Sequence, residues 1–248
     1  MKERPINQSA APSSLDFPRP LSTVDVAIFA IRDERLHVLL VQRKDEPGEP
    51  YPNLWALVGG FVDMDQDASL EACALRKLRE KTGVASPYLE QLGSWGGKSR
   101  DPRGWSITHA YFALIPPDAA IEPVSGANAA SAKWMPVAKP GVKETLAFDH
   151  EEILAAAIAR LRNKVEYTSL PAFLLSREFT LSELQRVYEI VLGRTLEKSA
   201  FRTRVLSTEL VVPVPRFKEG PNRPAQLYRL KSQSTPVFFQ RTFKPAEG

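Results

Sequence analysis

The chain has 248 residues, 43% hydrophobic and 25% charged. That is the composition of a soluble globular protein of one large or two small domains, with no apolar run that approaches a membrane span and no apolar N-terminal stretch of the kind a signal peptide needs. One cysteine excludes an internal disulfide framework and fits a reducing cytoplasm. The formal charge of +4 is unevenly divided: residues 1–160 carry 18 Lys and Arg against 21 Asp and Glu, a balance of −3, while residues 161–248 carry 15 against 8, a balance of +7. A basic C-terminal module joined to a mildly acidic one points to a polyanionic partner for the C-terminal part.

Residues 1–20, rich in Ser, Ala and Pro, read as a mobile tail. Residues 24–31 and 36–42 are apolar runs joined by a charged four-residue turn, and predict two paired strands. Residues 55–58 lead into Gly59 and Gly60. From 69 to 82 the chain has no Gly or Pro, and Leu70, Ala74 and Leu78 recur at i, i+4 and i+8, one buried stripe of a helix. Asp67 or Ser69 can cap its start, and Gly83 can end it in the left-handed conformation. Cys73 sits in that helix among small apolar neighbours with no histidine nearby in sequence, so it reads as a buried residue rather than a catalytic thiol. Residues 108–115 form another strand, stopped by Pro116 and Pro117, and 133–136 a short one. Ile153, Leu154, Ala157, Ile158 and Leu161 mark a final helix over 149–163. Strands with a central and a closing helix suit an α+β sandwich around a mixed sheet. His37 and His109 fall in strands and His150 at a helix start. None has partners at metal-ligand spacing, so all three read as structural.

Between 163 and 171 the helical pattern stops and the charge balance shifts. This places a first domain at 21–163, a linker at 164–171 and a second domain at 172–248. Residues 180–183 (TLSE) are a capping box that opens a helix through Leu192, with Leu184, Val187, Tyr188 and Val191 as its apolar stripe and Gly193 at its end. A second helix over 196–207 turns Leu196, Ala200, Phe201 and Val205 inward. Residues 210–212 and 227–230 then read as a β-hairpin. Two helices on a short turn followed by a basic hairpin make a winged helix-turn-helix, whose second helix enters the major groove of DNA. The DNA contacts expected on this geometry are Arg194, Lys198, Ser199, Arg202 and Arg204 around the second helix, with Arg216, Lys218 and Arg223 on the hairpin.

The most informative stretch is residues 59–84, GGFVDMDQDASLEACALRKLREKTGV. Positions 77, 80 and 81 share one helix face. Three carboxylates there would suit Mg²⁺, but Lys77 and Lys81 place two ammoniums around the single Glu80. The stretch resembles a Nudix box, Gly-x5-Glu-x7-Arg-Glu-Φ-x-Glu-Glu-x-Gly-Φ with Φ a bulky aliphatic, in which clustered glutamates hold Mg²⁺ against a diphosphate. Two of those glutamate positions are lysine here. The loop from Gly60 to Arg76 is two residues longer than the pattern, so its glutamate falls among Gln66, Asp67 and Ala68. No catalytic residue and no metal site is therefore expected.

A degenerate box followed by a winged helix is similar to the Nudix-related transcriptional regulators of bacterial NAD metabolism, from about residue 21 onward. The segments that carry the likeness are 42–44 (QRK), 54–57 (LWAL), 93–111, 146–150 (LAFDH), 179–206 and the junction residues Arg162, Lys164, Tyr167 and Thr168. The resemblance implies an N-terminal Nudix-fold α/β/α sandwich with a mixed sheet and a C-terminal winged helix-turn-helix. It further implies a repressor of NAD biosynthesis or salvage genes that binds an inverted-repeat operator as a homodimer. ADP-ribose or a related nucleotide is the implied effector, with no cofactor, and it would release the DNA. The ligand-binding residues expected are Arg43, Trp55, Lys77, Lys81, Arg100, Asp101, Arg103 and Trp105. Arg100 and Arg103 supply two guanidiniums on a turn, suited to phosphate or ribose. Trp55, Trp95 and Trp105 are either adenine-stacking or core and rim aromatics, and Lys77 and Lys81 can stand in for the metal. The rival readings are an ADP-ribose hydrolase with an accessory basic domain, whose missing carboxylate comes from another loop, and a nucleotide-binding scaffold that does not touch DNA.

Overall fold

Strand β1 (Leu21–Arg32) turns back into β2 (Arg35–Gln42) through Asp33 and Glu34, both at positive φ (45° and 57°), the geometry of a two-residue hairpin whose twist matches its strands. Strand β3 (Trp55–Phe61) pairs antiparallel with both. A long hairpin follows, β4 (Tyr88–Asp101) and β5 (Gly104–Leu114). β5 lies parallel to β1, the single parallel pair of a six-stranded mixed sheet that β6 (Ser131–Pro136) completes in the order β4-β5-β1-β3-β2-β6. This computed structural model describes residues 18–83, 88–118, 129–138, 141–219, 224–232 and 236–239. Most of the expected 1–20 tail, and Arg223 with it, lies outside the described residues.

Both faces of the sheet are covered, which is why β1 reads as a near-continuous apolar run rather than an alternating one. Val24, Val26 and Ile28 face α1 (Leu70–Thr82), where Cys73, Ala74 and Leu78 are buried. Ala27 and Phe29 face α2 (His150–Val165), which buries Ile153, Leu154, Ala157, Ile158 and Leu161. This is the expected α/β/α sandwich. Helix α1 has the caps the sequence proposes: the Ser69 hydroxyl accepts from the Ala72 N–H at 3.1 Å, and Gly83 takes φ 69°.

The C-terminal part begins with a 3-10 helix (Leu170–Leu174), then β7 (Phe179–Thr180), α3 (Leu181–Leu192), α4 (Lys198–Ser207), β8 (Val211–Lys218) and β9 (Ala225–Leu230). Its three strands run in the order β7-β9-β8. Both halves of the Thr180/Glu183 capping box are present. Helix, helix and wing are as the sequence predicts, with α4 starting at Lys198 rather than 196. No helix of the described residues is long and apolar enough to cross a membrane.

One expectation needs correcting. Residues 164–171 are not a free connector: α2 runs on to Val165, and Val165, Thr168, Ser169, Leu170 and Pro171 are buried. The Tyr188 hydroxyl donates to the Thr168 carbonyl at 2.7 Å, and the C-terminal segment returns to pair Phe238 with Thr168. Leu170, Phe173, Leu184 and Tyr188 belong to the same apolar core as Phe29, Phe112 and Leu161, so the second domain is docked on the α2 face of the sheet. A strand with no counterpart in the sequence reading is β4, 14 residues on the sheet edge. Gly93, Gly96, Gly97, Lys98 and Ser99 have little strand propensity, and two register shifts interrupt its pairing.

Candidate functional site

A cavity of about 680 Å³ opens where the ends of the central strands meet α1, the β4–β5 turn and the start of α2. Its floor is a lone acid in an apolar strand. Asp25 is 5% exposed, and its carboxylate lies 3.2 Å from Arg100 Nη2 and 3.4 Å from His150 Nε2. Arg100 donates from Nε to Asp149 at 2.8 Å, so one guanidinium ties β1 to the residue that starts α2. His150 accepts the Leu57 N–H on Nδ1 at 3.0 Å, which leaves the proton on Nε2, facing Asp25. Burial opposes ionisation of Asp25, but His150, Thr108 and Arg100 outweigh it and hold the carboxyl below the usual carboxylate range. Only glycine fits beside this group. A Cβ at Gly59 would stand 2.0 Å from Asp25 Oδ1 and 2.5 Å from the Val24 carbonyl.

The box helix forms one wall. Arg76 donates from Nε and Nη2 to the two oxygens of Asp67 (2.7 and 2.6 Å) and from Nη1 to Glu80 (2.9 Å). This bidentate pair, chiefly its hydrogen bonds, holds the Asp67 carboxyl far down and the guanidinium far up. Asp67, one of the three candidates for the shifted glutamate, is thus spent on fixing the loop before α1. Lys77 and Lys81 both line the cavity, whereas Glu80 is bound by Arg76 and lies 3.9 Å from Lys77. Burial lowers the Lys81 ammonium, with Glu80 opposing and Lys77 adding to the shift. Such a donor set does not fit Mg²⁺, which needs free hard oxygens. Among the described residues no group of three His, Cys, Asp or Glu is placed to hold a metal ion.

Six of the eight expected ligand residues come together here: Arg43, Lys77, Lys81, Arg100, Asp101 and Arg103. The two guanidiniums of the β4–β5 turn differ. Arg100 is 6% exposed and internal, while Arg103 is held against the Asp101 carboxylate at 2.8–3.0 Å and lies 5.1 Å over the Phe61 ring. Trp55 and Trp105 do not line the cavity. Trp55 packs against the α2-side core and bridges Leu146, and Trp105 stands half exposed on β5. Trp95 donates to Glu152 at 3.0 Å. Asp25, Phe61, Phe148 and His150 line the site without having been singled out for it. For Asp25 the signal was present, a single charge inside a buried strand. Phe148 takes φ 58°, costly for a bulky residue, and sits between Arg43 (4.9 Å) and Arg100 (5.8 Å).

On the second domain, Lys198, Ser199, Arg202, Thr203 and Leu206 share the exposed side of α4, while Phe201 and Val205 are buried. The Glu197 carboxylate caps this helix by accepting the Ser199 and Ala200 N–H groups and the Ser199 hydroxyl. Arg204 turns elsewhere. It donates to the Glu166 carbonyl at 2.8 Å, lies over the Phe239 ring and lines a second cavity of about 560 Å³ near the domain junction. Arg194 pairs with the Glu166 carboxylate at 3.2 Å. On the wing, Arg216 pairs with Glu178 and Lys218 with Glu183.

Fold and site together define a Nudix-fold domain carrying a winged helix. Residues 21–157 match the NUDIX domain family and residues 171–230 the NrtR DNA-binding winged helix domain. The chain is 48% identical over 226 residues to the ADPR responsive transcriptional repressor NtrR of Acinetobacter baylyi, covering 91% of this chain and 88% of that protein. Shewanella oneidensis NrtR complexed with a 27mer DNA is 43% identical, with a TM-score of 0.77 over 84% of this chain and 93% of that one. The Nudix domain of Shewanella oneidensis NrtR complexed with ADP ribose is 42% identical, with a TM-score of 0.52 over 61% and 94%. The chain belongs to the Nudix family, in the NrtR group that joins a Nudix domain to this winged helix.

Proposed function

We propose that the chain is a DNA-binding transcriptional repressor of NAD biosynthesis or salvage genes. It acts in the cytoplasm as a homodimer on an inverted-repeat operator, and its Nudix-fold domain binds ADP-ribose or a related NAD-derived nucleotide that releases the DNA. The observation that carries this reading is the wall of the cavity, where the box helix presents Lys77 and Lys81 and keeps Glu80 on Arg76. Two fixed ammoniums attract a diphosphate directly, without a metal and without the means to activate water for its hydrolysis. A volume of 680 Å³ suits a ligand of dinucleotide-fragment size. The relatives support the two binding steps: the Acinetobacter baylyi protein is ADPR responsive, and Shewanella oneidensis NrtR is complexed with DNA and, through its Nudix domain, with ADP ribose. The exposed side of α4 supplies Lys198 and Arg202 for phosphates or guanine edges.

The test is fluorescence anisotropy at fixed salt. The probe is DNA from upstream of this gene and its NAD-pathway neighbours, titrated with protein and then with ADP-ribose. Tight, sequence-dependent binding reversed by ADP-ribose is the expected result. Binding indifferent to ADP-ribose removes the effector and leaves the regulator. No sequence-dependent binding, with Mg²⁺-dependent turnover of ADP-ribose, replaces the whole reading with a hydrolase.

A further inference from the structure

Helix α4 is fastened to its own domain before its start and to the end of α2 near its finish. Gln185 of α3 donates to the Leu196 carbonyl at 2.9 Å, and the Glu189 carboxylate accepts the Leu196 N–H at 2.9 Å. In the middle of α4, Phe201 meets the Tyr188 ring edge-on at 5.2 Å. Near its end Arg204 donates to the Glu166 carbonyl, just past α2. The second cavity, about 560 Å³, is lined by residues of both helices. They are not packed solid against each other there, so the aim of α4 depends on its fastenings.

One of these comes from the far end of the chain. After β9 the chain returns to the domain junction, where residues 236–239 run antiparallel to 167–169. The Ser169 N–H donates to the Val237 carbonyl at 3.0 Å and the Val237 N–H to the Ser169 hydroxyl at 2.9 Å. The Phe239 N–H donates to the Tyr167 carbonyl at 2.7 Å, and the Phe238 ring stacks on Tyr167 with centres 6.2 Å apart. These bonds deliver Phe239 into the wall of the cavity, where it is 8% exposed and its ring centre lies 5.2 Å from the Arg204 guanidinium. The cation that braces α4 is thus itself held by an aromatic face.

We propose that residues 236–239 are a strap that aims α4, with Phe239 as a positioning residue for DNA reading. Its ring lies against the cavity and not on the exposed side of α4, so it acts through Arg204 and the helix rather than on DNA. The inference rests on the DNA-binding reading above and adds what fixes the reading helix from the protein side. Hydrogen bonds to base edges need heavy atoms within about 2.7–3.2 Å, so a small tilt of α4 costs base contacts. Long flexible lysines and arginines can follow phosphates through the same tilt. The strap also ties α4 to the helix that starts at His150, on the floor of the first cavity.

The experiment is fluorescence anisotropy at fixed salt with operator DNA and with unrelated DNA of the same length. The proteins are the full chain and its Phe239→Ala, Phe239→Leu and Ser169→Ala variants, each also titrated with ADP-ribose by calorimetry. Point variants keep Arg241 and Lys244, two cations that a truncation would remove with the strap. Phe239→Ala is expected to weaken operator binding about tenfold, the size of one lost base contact, with affinity for unrelated DNA and for ADP-ribose unchanged. Phe239→Leu, which refills the space, should recover most of that loss. Ser169→Ala removes the hydroxyl that holds Val237 and should lower operator affinity by a smaller factor; it decides the matter if Phe239→Ala does not fold. Unchanged operator affinity in the folded variants overturns the proposal, as does an equal loss on unrelated DNA. A parent chain with no preference for operator fails the DNA reading itself, a separate result.

Discussion

The arginines of the cavity and the outward cations of α4 hold their positive charge in opposite ways. Every arginine that lines the cavity is already bound: Arg43 to Glu49 and the Pro50 carbonyl, Arg76 to Asp67 and Glu80, Arg100 to Asp25 and Asp149, Arg103 to Asp101. Outward on α4, Lys198 and Arg202 are exposed and stand in no ion pair among the described residues. A cavity for one small ligand gains from charges fixed at folding, because nothing then has to be ordered on binding. A surface for DNA gains from long hydrated side chains that adjust to the groove. Substitutions of those arginines should therefore change the folded protein as well as binding, and substitutions of Lys198 or Arg202 should change binding alone.

The largest effect expected is at Asp25. Asp25→Ala leaves Arg100 and His150 facing a hole in the core, and breaking a buried pair from one side costs about 3–5 kcal/mol, read as a fall in the urea midpoint. The pH dependence carries the same signature. Its folded pKa is depressed, so its contribution is present above the unfolded carboxylate value near ~3.9 and is lost as pH falls through the lower folded value. The variant should show a flatter acid limb in its stability curve, and an unchanged midpoint and acid limb would count against Asp25 as the keystone of the floor.

Lys77→Glu comes next and separates ligand binding from folding. The side chain lines the cavity at the edge of the core, so stability should hold while ADP-ribose affinity falls tenfold or more, about 1.4 kcal/mol per decade. Equal affinity in the variant would show that the ammonium does not face the diphosphate.

How much of this was legible in the sequence follows the same division. The strand and helix runs, the caps at Ser69 and Gly83 and the whole winged helix could be read, because they rest on local periodicity and capping chemistry. The expected cations Lys77 and Lys81 on the box helix, Arg100 and Arg103 about one turn and Arg43 after β2 all line the cavity. The tryptophans misled, because an aromatic side chain says nothing of which cavity it faces. Trp55 is held by the bridge to Leu146, and Trp105 stands on a strand whose partner β4 the sequence hid among glycines. Asp25, Phe148 and His150 come from positions 25 and 148–150 and meet only because the sheet order brings β1 and β3 against the start of α2. Long-range pairing of that kind leaves no periodic trace. Residues 164–171 were read as a linker from a loss of helical period, yet Leu170 and Pro171 were apolar and needed burial.

On the DNA side the sharpest contrast is between neighbours on one helix. Arg202→Ala should weaken operator binding by about 1–3 kcal/mol if the guanidinium reads a base edge, and less and without sequence preference if it holds a phosphate. Arg204→Ala should act elsewhere. Its hydrogen bond to the Glu166 carbonyl and its place over Phe239 make it a brace between α4 and the end of α2, so its loss should cost about 0.5–1.5 kcal/mol of stability. Normal operator affinity in the Arg202→Ala variant would remove α4 as the reading helix.

The smallest effect is expected on the wing, and it tests whether an ion pair there is structural or held in reserve. Lys218 donates to Glu183 Oε1 at 2.6 Å, with 57% and 37% of the two side chains exposed. Burial opposes ionisation of Glu183, but Lys218 and the Thr180 cap outweigh it and hold its pKa below the ordinary value. A pair so exposed contributes at most about 1 kcal/mol, and Glu183 keeps its capping bonds to Thr180 when the lysine is removed. Lys218→Ala should thus leave the urea midpoint nearly unmoved. If DNA draws the ammonium from Glu183 to a phosphate, the variant should lose affinity equally for operator and unrelated DNA, and the slope of log affinity against log salt should fall by about 1. A stability loss with an unchanged salt slope would place Lys218 with Arg204, as a brace of the fold and not a contact to DNA.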